Sequence, residues 1–315
     1  MRFVRLLVLL LLWTSAAAFA QDANVAYPAA DLERRLQSMP FVILTAEKAR
    51  GLREDLALKA DVRFDDGREV RIKLRPAGRK ASEFNNEPRY ELAAYVLQKA
   101  LFDEPDYVVP PTALRAIHRS VLAPYTKVFA TFGGSDVVVV AQYWLQNVTG
   151  PRDIWDPARF AADPLYARHI ANLNVLTFLI KHGDSNPGNV LLSTDRATGR
   201  AFSVDNGVAF SSLPSDRGQL WRDLRVPRVP AQTIERLRAL DRTKLDALLG
   251  AIATWQVRDG RLVPVPGHPR MRGMMGVRRA HGHVQLGLTE RDIRDLEKRR
   301  RELLARVDDG RLGVF

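Results

Sequence analysis

Apolar and polar residues alternate along this chain in two rhythms, and the changes between them mark its elements. Over residues 60–74 the period is two: Val62 and Phe64, then Val70, Ile72 and Leu74, with Asp66-Gly67 between the runs. Alternate side chains of a strand share a face and Asp-Gly suits a tight turn, so a β-hairpin is predicted. Residues 89–101 change to helical spacing, with Leu92, Tyr95, Val96 and Leu101 on one stripe. Upstream, residues 30–37 suit a first helix, and Thr45 is placed to cap a helix over 46–58. The run VVVVAQYWLQ, within 135–146, reads as a buried strand that stops at a polar break over 147–150. Such a break suits a base-reading hinge or an ordinary loop equally. Residues 156–181 predict two helices, Asp156 capping the first and Pro157 at its first position. The second, over 167–180, is strongly apolar. Two short strands, 190–193 and 200–204, flank a polar turn. Beyond them come a connector over 220–230, an amphipathic helical stretch over 234–255, and a last charged helix over 289–307 capped by Thr289.

Composition changes the picture in three ways. The first 20 residues carry Arg2 and Arg5, an apolar run over 6–13 and Ala18-Phe19-Ala20 before Gln21, the order of an export leader with its cleavage site. The apolar run is shorter than the roughly 20 residues that span a bilayer, which favours cleavage over a retained anchor. No later segment is apolar and long enough to cross a membrane. The expected mature protein is therefore exported, periplasmic or secreted. The chain has no cysteine, which excludes thiolate chemistry and leaves the core alone to hold the fold. The formal charge of +12 admits acidic or phosphate-rich partners. Its arginines are dispersed without interleaved aromatics, so no nucleic-acid partner is expected. His281-Gly-His283 lacks a third ligand and reads as surface.

The candidate chemistry gathers in FLIKHGDSNPGNVLLSTDRATGRAFSVDNGVAF, residues 178–210. Its Gly-Asp-Ser-Asn-Pro-Gly-Asn segment is too rich in Gly, Pro and Asn for the interior of an element. An in-register hairpin centred on Ala197 would set Asn189 at its entry beside Asp205 at its exit, with Asp184 on the loop leading in. Two carboxylates and a carboxamide suit a hard divalent ion such as magnesium, with a phosphate completing its shell. Asp184 and Asn189 have the D-x-x-x-x-N spacing of a phosphoryl-transfer loop, and Asp205-Asn206-Gly207 stands where a second metal-binding carboxylate follows a hairpin. Taken singly, either motif also occurs as a plain turn.

Lys73 lies on the face of its strand opposite Val70, Ile72 and Leu74, where a lysine is costly to bury unless it meets an anion. A solvent-facing edge position is the simpler alternative. Glu91, in the first turn of the next helix, has the order and setting of a glutamate that holds a phosphate-gripping lysine; Glu87 competes for that part.

Together ELAAYVLQKALFDEPDYVVPPTALR, FLIKHGDSNPGNVLL and SVDNGVAF resemble the protein-kinase-like superfamily. The nearest branch holds secreted kinases of the Golgi casein-kinase type and the type II phosphatidylinositol 4-kinases, here as a bacterial-type exported homologue. The resemblance implies an α+β, two-lobed fold, with a small β-rich N-lobe over 21–146 and a larger, mostly helical C-lobe over 147–315. It implies ATP and Mg or Mn as cofactors. Lys73 would hold the phosphates and Glu91 would orient Lys73. Asp184 would be the catalytic base, and Asn189 and Asp205 the metal ligands. The expected activity is transfer of the γ-phosphoryl of ATP to a hydroxyl acceptor, on a protein, lipid headgroup or sugar, acidic or envelope-associated. Two departures keep a pseudokinase open as the alternative. No G-x-G-x-x-G loop precedes Lys73, and Ser185 follows Asp184 where many relatives carry arginine.

Overall fold

The computed structural model describes residues 23–49, 56–78, 87–132, 134–210 and 221–315; the leader read at 1–20 lies outside them. The chain begins with α1 (Ala29–Ser38), then β1 (Phe41–Lys48), β2 (Leu58–Phe64), β3 (Glu69–Pro76), α2 (Pro88–Leu101), β4 (Thr112–His118), the short α3 (Arg119–Leu122) and β5 (Asp136–Tyr143). The five strands form one antiparallel sheet in the order β1-β2-β3-β5-β4. The expected 60–74 hairpin is β2 and β3, with Val62 opposite Val70 and Ala60 opposite Ile72.

Residues 46–48, expected to open a helix, are instead the end of strand β1. Helix propensity in Ala-Glu-Lys is overridden because β1 finds a partner: Ala46 pairs with Ala60 and Glu47 with Lys59. Thr45 caps nothing; its hydroxyl donates to Asp61 across the strands, 2.8 Å away.

β5 is buried on both faces, which explains its unbroken valine run. Val137, Val139 and Ala141 join Ile72, Leu74 and α1's Leu32 and Leu36 in one apolar cluster. Val138 and Val140 face the other way, onto α2 and the core of the remaining chain. Lys73, Arg75 and Gln142 share this second face, since Lys73 pairs with Gln142 and Arg75 with Val140. A strand that buries both faces leaves its charged side chains no route to bulk water, so they must be paired.

α2 is buried along most of its length. Its Gln98 donates to the Val109 carbonyl (2.7 Å) and accepts from the Val108 and Val109 amides, tying down the Val-Val-Pro-Pro segment ahead of β4.

After β5 come β6 (Val148–Thr149), α4 (Pro157–Ala162), α5 (Pro164–Leu179), β7 (Val190–Ser193), β8 (Ala201–Ser203), β9 (Arg228–Val229), α6 (Ala231–Ala239) and α7 (Arg242–Leu249). Then follow β10 (Ala253–Arg258), β11 (Arg261–Pro264), β12 (Val277–Ala280), β13 (His283–Leu286), α8 (Glu290–Asp308) and β14 (Gly313–Val314). Asp156 and Asp163 cap α4 and α5 with their carboxylates, and each helix has proline at its first position. The stretch over 234–255 is two helices and the start of a strand rather than one helical run. β10 to β13 make a four-stranded antiparallel sheet that periodicity did not announce. Its strands are short, and Gly267 and Gly282 sit at positive φ in the connections between them.

The molecule is thus α+β, with a β-rich first part followed by mixed helices and small sheets. The two parts are joined behind β5. Asp136, 1% exposed, accepts from Arg261 Nε at 2.7 Å and from the Leu262 amide at 2.8 Å. Backbone approach there is close enough that a Cβ on Gly134 would lie 2.3 Å from the Gly260 oxygen. Among the described residues no helix is long and apolar enough to cross a membrane.

Candidate active site at the junction of β3, α2 and the 182–210 segment

Lys73 projects from β3 onto the N-terminal turn of α2, where its Nζ lies 3.2 Å from Glu91 Oε1 and also contacts Asp205 Oδ1. Lys73 is 7% exposed and Glu91 1%, so both charges depend on their partners. Burial alone would push the Lys73 ammonium down, but Asp205 and Glu91 together hold it above the ordinary lysine value. Likewise burial would raise the Asp205 carboxyl, yet Lys73 and then Arg75 keep it well below the usual carboxylate range. Its side chain remains 39% accessible, so this carboxylate reaches outward while its partners lie inside.

Glu91 binds on both sides. Its second oxygen accepts the Asn206 amide at 3.0 Å, which fastens the Asp-Asn-Gly turn to α2. Glu87, the competing candidate, turns away to Arg89 at 3.1 Å. Asp205 adopts φ 56°, the left-handed region that asparagine and aspartate tolerate better than other side-chain-bearing residues. Lys181 and Phe210 also have positive φ, at 48° and 52°. Backbone strain thus brackets this segment, as is common where function over-determines geometry.

The loop before β7 supplies the second group. Asn189 Nδ2 donates to Asp184 Oδ2 (3.0 Å) and to the Asp184 carbonyl (2.8 Å). Asn186 Nδ2 donates to Asp184 Oδ1 at 2.7 Å. With its nitrogen committed, Asn189 turns its amide oxygen elsewhere, and that oxygen accepts no hydrogen bond among the described residues. The hairpin register sets Val190 opposite Ser203, so Asn189 lies against Val204, whose amide donates to its carbonyl at 2.9 Å. The expected pairing of 189 with 205 is therefore off by one residue. β8 ends at Ser203, and Asp205 lies past the ladder in the turn, free to swing toward β3.

His182 links the two halves. Its Nδ1 accepts from the Asp184 amide at 3.3 Å, and its Nε2 lies 3.2 Å from the Val204 carbonyl, which assigns the Nε2–H tautomer. Burial lowers its pKa, keeping the ring neutral and both bonds intact. Gly183 is closely packed: a Cβ there would lie 3.0 Å from the Val208 oxygen, which would have to shift by a few tenths of an ångström, and the Gly183 amide donates to that oxygen at 2.7 Å.

Lys73, Glu91 and Asp205 are therefore in direct contact, Asp184 and Asn189 are in direct contact, and His182 with the hairpin ties the groups together. Arg75 went unnoticed in the sequence. Its guanidinium lies 3.5 Å from Glu91 and 3.8 Å from Asp205, giving the site a second buried cation. The signal was available, because a residue two positions after Lys73 on a strand must share its face. His182 was passed over because a single histidine beside an apolar run says nothing of its partners.

The polar break after β5 is occupied. Asn24 donates to the Gln146 and Asn147 carbonyls at 2.9 and 3.1 Å and accepts the Gln146 amide through its own carbonyl. Among the described residues no group of three or more His, Cys, Asp or Glu could hold a metal. His283 turns Nδ1 to the His281 carbonyl and stacks against His268.

No protein-family model matches this chain, and comparison with curated proteins finds no match.

Proposed function

We propose that this chain is a kinase-like phosphotransferase with a two-lobed arrangement, moving the γ-phosphoryl of ATP to a hydroxyl. The observation that carries the reading is Lys73 held between Glu91 and Asp205, with Asp184 and Asn189 on the adjoining loop. Residues from β3, α2, the 182–189 loop and the turn after β8 meet only through the tertiary fold. Their charges are those a polyphosphate and a divalent ion require.

In this reading Lys73 and Arg75 bind the phosphate chain, and Arg75 adds a cation that the missing glycine-rich lid cannot supply. Glu91 orients Lys73 and, through the Asn206 amide, the Asp205 turn. Asp184 accepts the hydroxyl proton of the acceptor at a carboxylate oxygen while Asn186 and Asn189 hold that carboxylate in place. The acceptor oxygen forms a bond to the γ-phosphorus, the bond to the β-bridging oxygen breaks, and ADP leaves with that electron pair. The donor set fits magnesium or manganese: the Asn189 amide oxygen and the second Asp205 oxygen accept no hydrogen bond among the described residues, and both are hard oxygen donors. When bound, such an ion neutralises phosphate charge. The leader motif at 1–20 supports export, and the acceptor would be a hydroxyl group outside the cytoplasm.

One observation favours a non-catalytic version of the same site. Both Asp184 oxygens already accept amide bonds, which weakens that carboxylate as a base. Label transfer from ATP with magnesium or manganese, tested on an envelope extract, separates the two. Transfer that disappears in Asp184→Ala and Asp205→Ala supports the enzyme. Nucleotide-dependent thermal stabilisation without transfer supports the binding module, and neither effect sinks both.

A further inference from the structure

Away from Lys73, a groove of about 630 Å³ lies between the end of α5, the face of α8 and the segment 222–224. Five cationic side chains line it (Lys181, Arg222, Lys298, Arg299 and Arg306) against three acids. Two of the acids are already engaged. Glu302 accepts from Arg306 at 2.7 Å, and Asp295 lies 3.9 to 4.0 Å from Arg291 and Arg294. Lys181 and Lys298 are exposed, and neither forms a salt bridge among the described residues. Among the described residues Arg299 makes one hydrogen bond, Nε to the Leu179 carbonyl at 2.7 Å, while its buried Nη2 has no hydrogen-bond partner. An unpaired guanidinium nitrogen out of water is costly, and burial lowers the Arg299 pKa to about 10. Asp295, Asp292 and Glu302 act on this guanidinium only at a distance, without a hydrogen bond to it among the described residues.

We propose that this groove binds a multivalent oxyanion of the phosphate class, recognised by Arg299 with Lys181 and Lys298. Arginine's planar fork and two mobile ammonium groups suit a compact, multiply charged anion with several acceptor oxygens. The site is placed to be felt by the chemistry. Lys181 stands in the turn that leads into the 182–189 loop, and that turn is pinned on its other side, Phe210 N to the Ile180 carbonyl at 2.6 Å. The proposal does not rest on the kinase reading, because binding at the groove can be measured without any turnover.

Calorimetric titration of the full mature chain with inorganic diphosphate, against chloride at matched ionic strength, tests it. The expected result is saturable binding that weakens roughly tenfold in Lys181→Gln/Lys298→Gln, from loss of two charge-assisted contacts. Because Lys181 has positive φ, Lys298→Gln alone, on the exposed face of α8, serves as the second variant and weakens binding in the same direction. Vesicles of phosphatidylcholine with phosphatidic acid, against pure phosphatidylcholine, locate the source. Binding confined to diphosphate assigns a soluble anion, and lysine-dependent binding to the acidic vesicles assigns a lipid headgroup. Diphosphate binding unchanged in both lysine variants would belong to the Lys73 site and would overturn the proposal, as would no binding beyond the chloride control. A chain that fails to transfer phosphate yet binds diphosphate through these lysines leaves the groove standing and the kinase reading fallen.

Discussion

Two ion-pair clusters begin in the first turn of α2, two residues apart, and they differ in one respect that matters. Arg89 reaches Asp292 of α8 at 2.7 Å and the Tyr90 hydroxyl at 2.6 Å, and both charged partners are under 10% exposed. Asp292 also closes the capping box of α8, accepting the Thr289 amide at 2.9 Å. Glu87 takes Arg89 at the rim of this cluster, and the buried Arg89–Asp292 pair holds α2 against α8. The other joins Glu91 to Lys73 and Arg75 and ends at Asp205, whose carboxylate faces outward on a left-handed residue. A buried charge therefore does not mark a functional site by itself. An inward network that ends in an accessible carboxylate differs in that this end can exchange a protein partner for a ligand, the property on which the proposed function draws.

The sharpest way to break this comparison is Asp205→Asn. On the proposed reading it lowers phosphoryl transfer by about a thousandfold or more, a far larger effect than its loss of urea-denaturation stability, which is limited because Lys73 keeps Glu91. Equal losses in transfer and stability would make Asp205 structural and erase the distinction. The Arg89–Asp292 cluster should behave in the opposite sense. Arg89→Met strands Asp292 and costs about 3–5 kcal/mol by urea unfolding, whereas Arg89→Met/Asp292→Leu recovers a large part of that. If the double variant is no better than the single, the cost comes from lost packing against Gly276 and Tyr90 instead of an uncompensated charge.

Acidification probes both regions against the core between them. His169 on α5 is 5% exposed, and burial lowers its pKa to about 4. The unfolded chain therefore binds more protons than the folded one between about pH 6.5 and 4, and stability present above that window is lost as pH falls through it. His182, lowered in the same direction, adds to the loss and releases the Asp184 amide when it protonates. Asp205, held below the carboxylate range, contributes stability above about pH 4 that is lost below it. A urea series from pH 7 to 4 should show stability falling by a few kcal/mol, flattened in His169→Gln. The smallest effect belongs to the cap. Thr289→Ala removes the hydroxyl that accepts the Asp292 amide at 3.1 Å and costs about 1 kcal/mol, with transfer activity unchanged.

Local signals were readable where one physical cause dominates. Period-two alternation with Asp-Gly marked β2 and β3, and Asp156 and Thr289 begin helices as capping chemistry requires, whereas the second helix starts three residues before the expected 167, after Asp163. The helix expected over 46–58 is overturned at its two ends, where 46–48 belong to β1 and Leu58 to β2, because an exposed edge strand has a burial pattern too irregular to show its period; residues 50–55 lie outside the described residues. The β10–β13 sheet went unread for a related reason, since its strands run four to six residues and are broken by turns.

By its own composition and spacing, the chain determined that Lys73 lies on the strand face opposite Val70, Ile72 and Leu74, that Asp184 and Asn189 share a loop, and that a turn carries Asp205. Those are consequences of backbone periodicity and turn chemistry within a few residues. Tertiary structure alone chose Glu91 over Glu87, brought Arg75 into the site, moved the hairpin register by one residue, and set Asn24 on the segment after β5. Each of those outcomes depends on which surfaces meet, and pairing a buried charge is settled only when the groups around it have arrived.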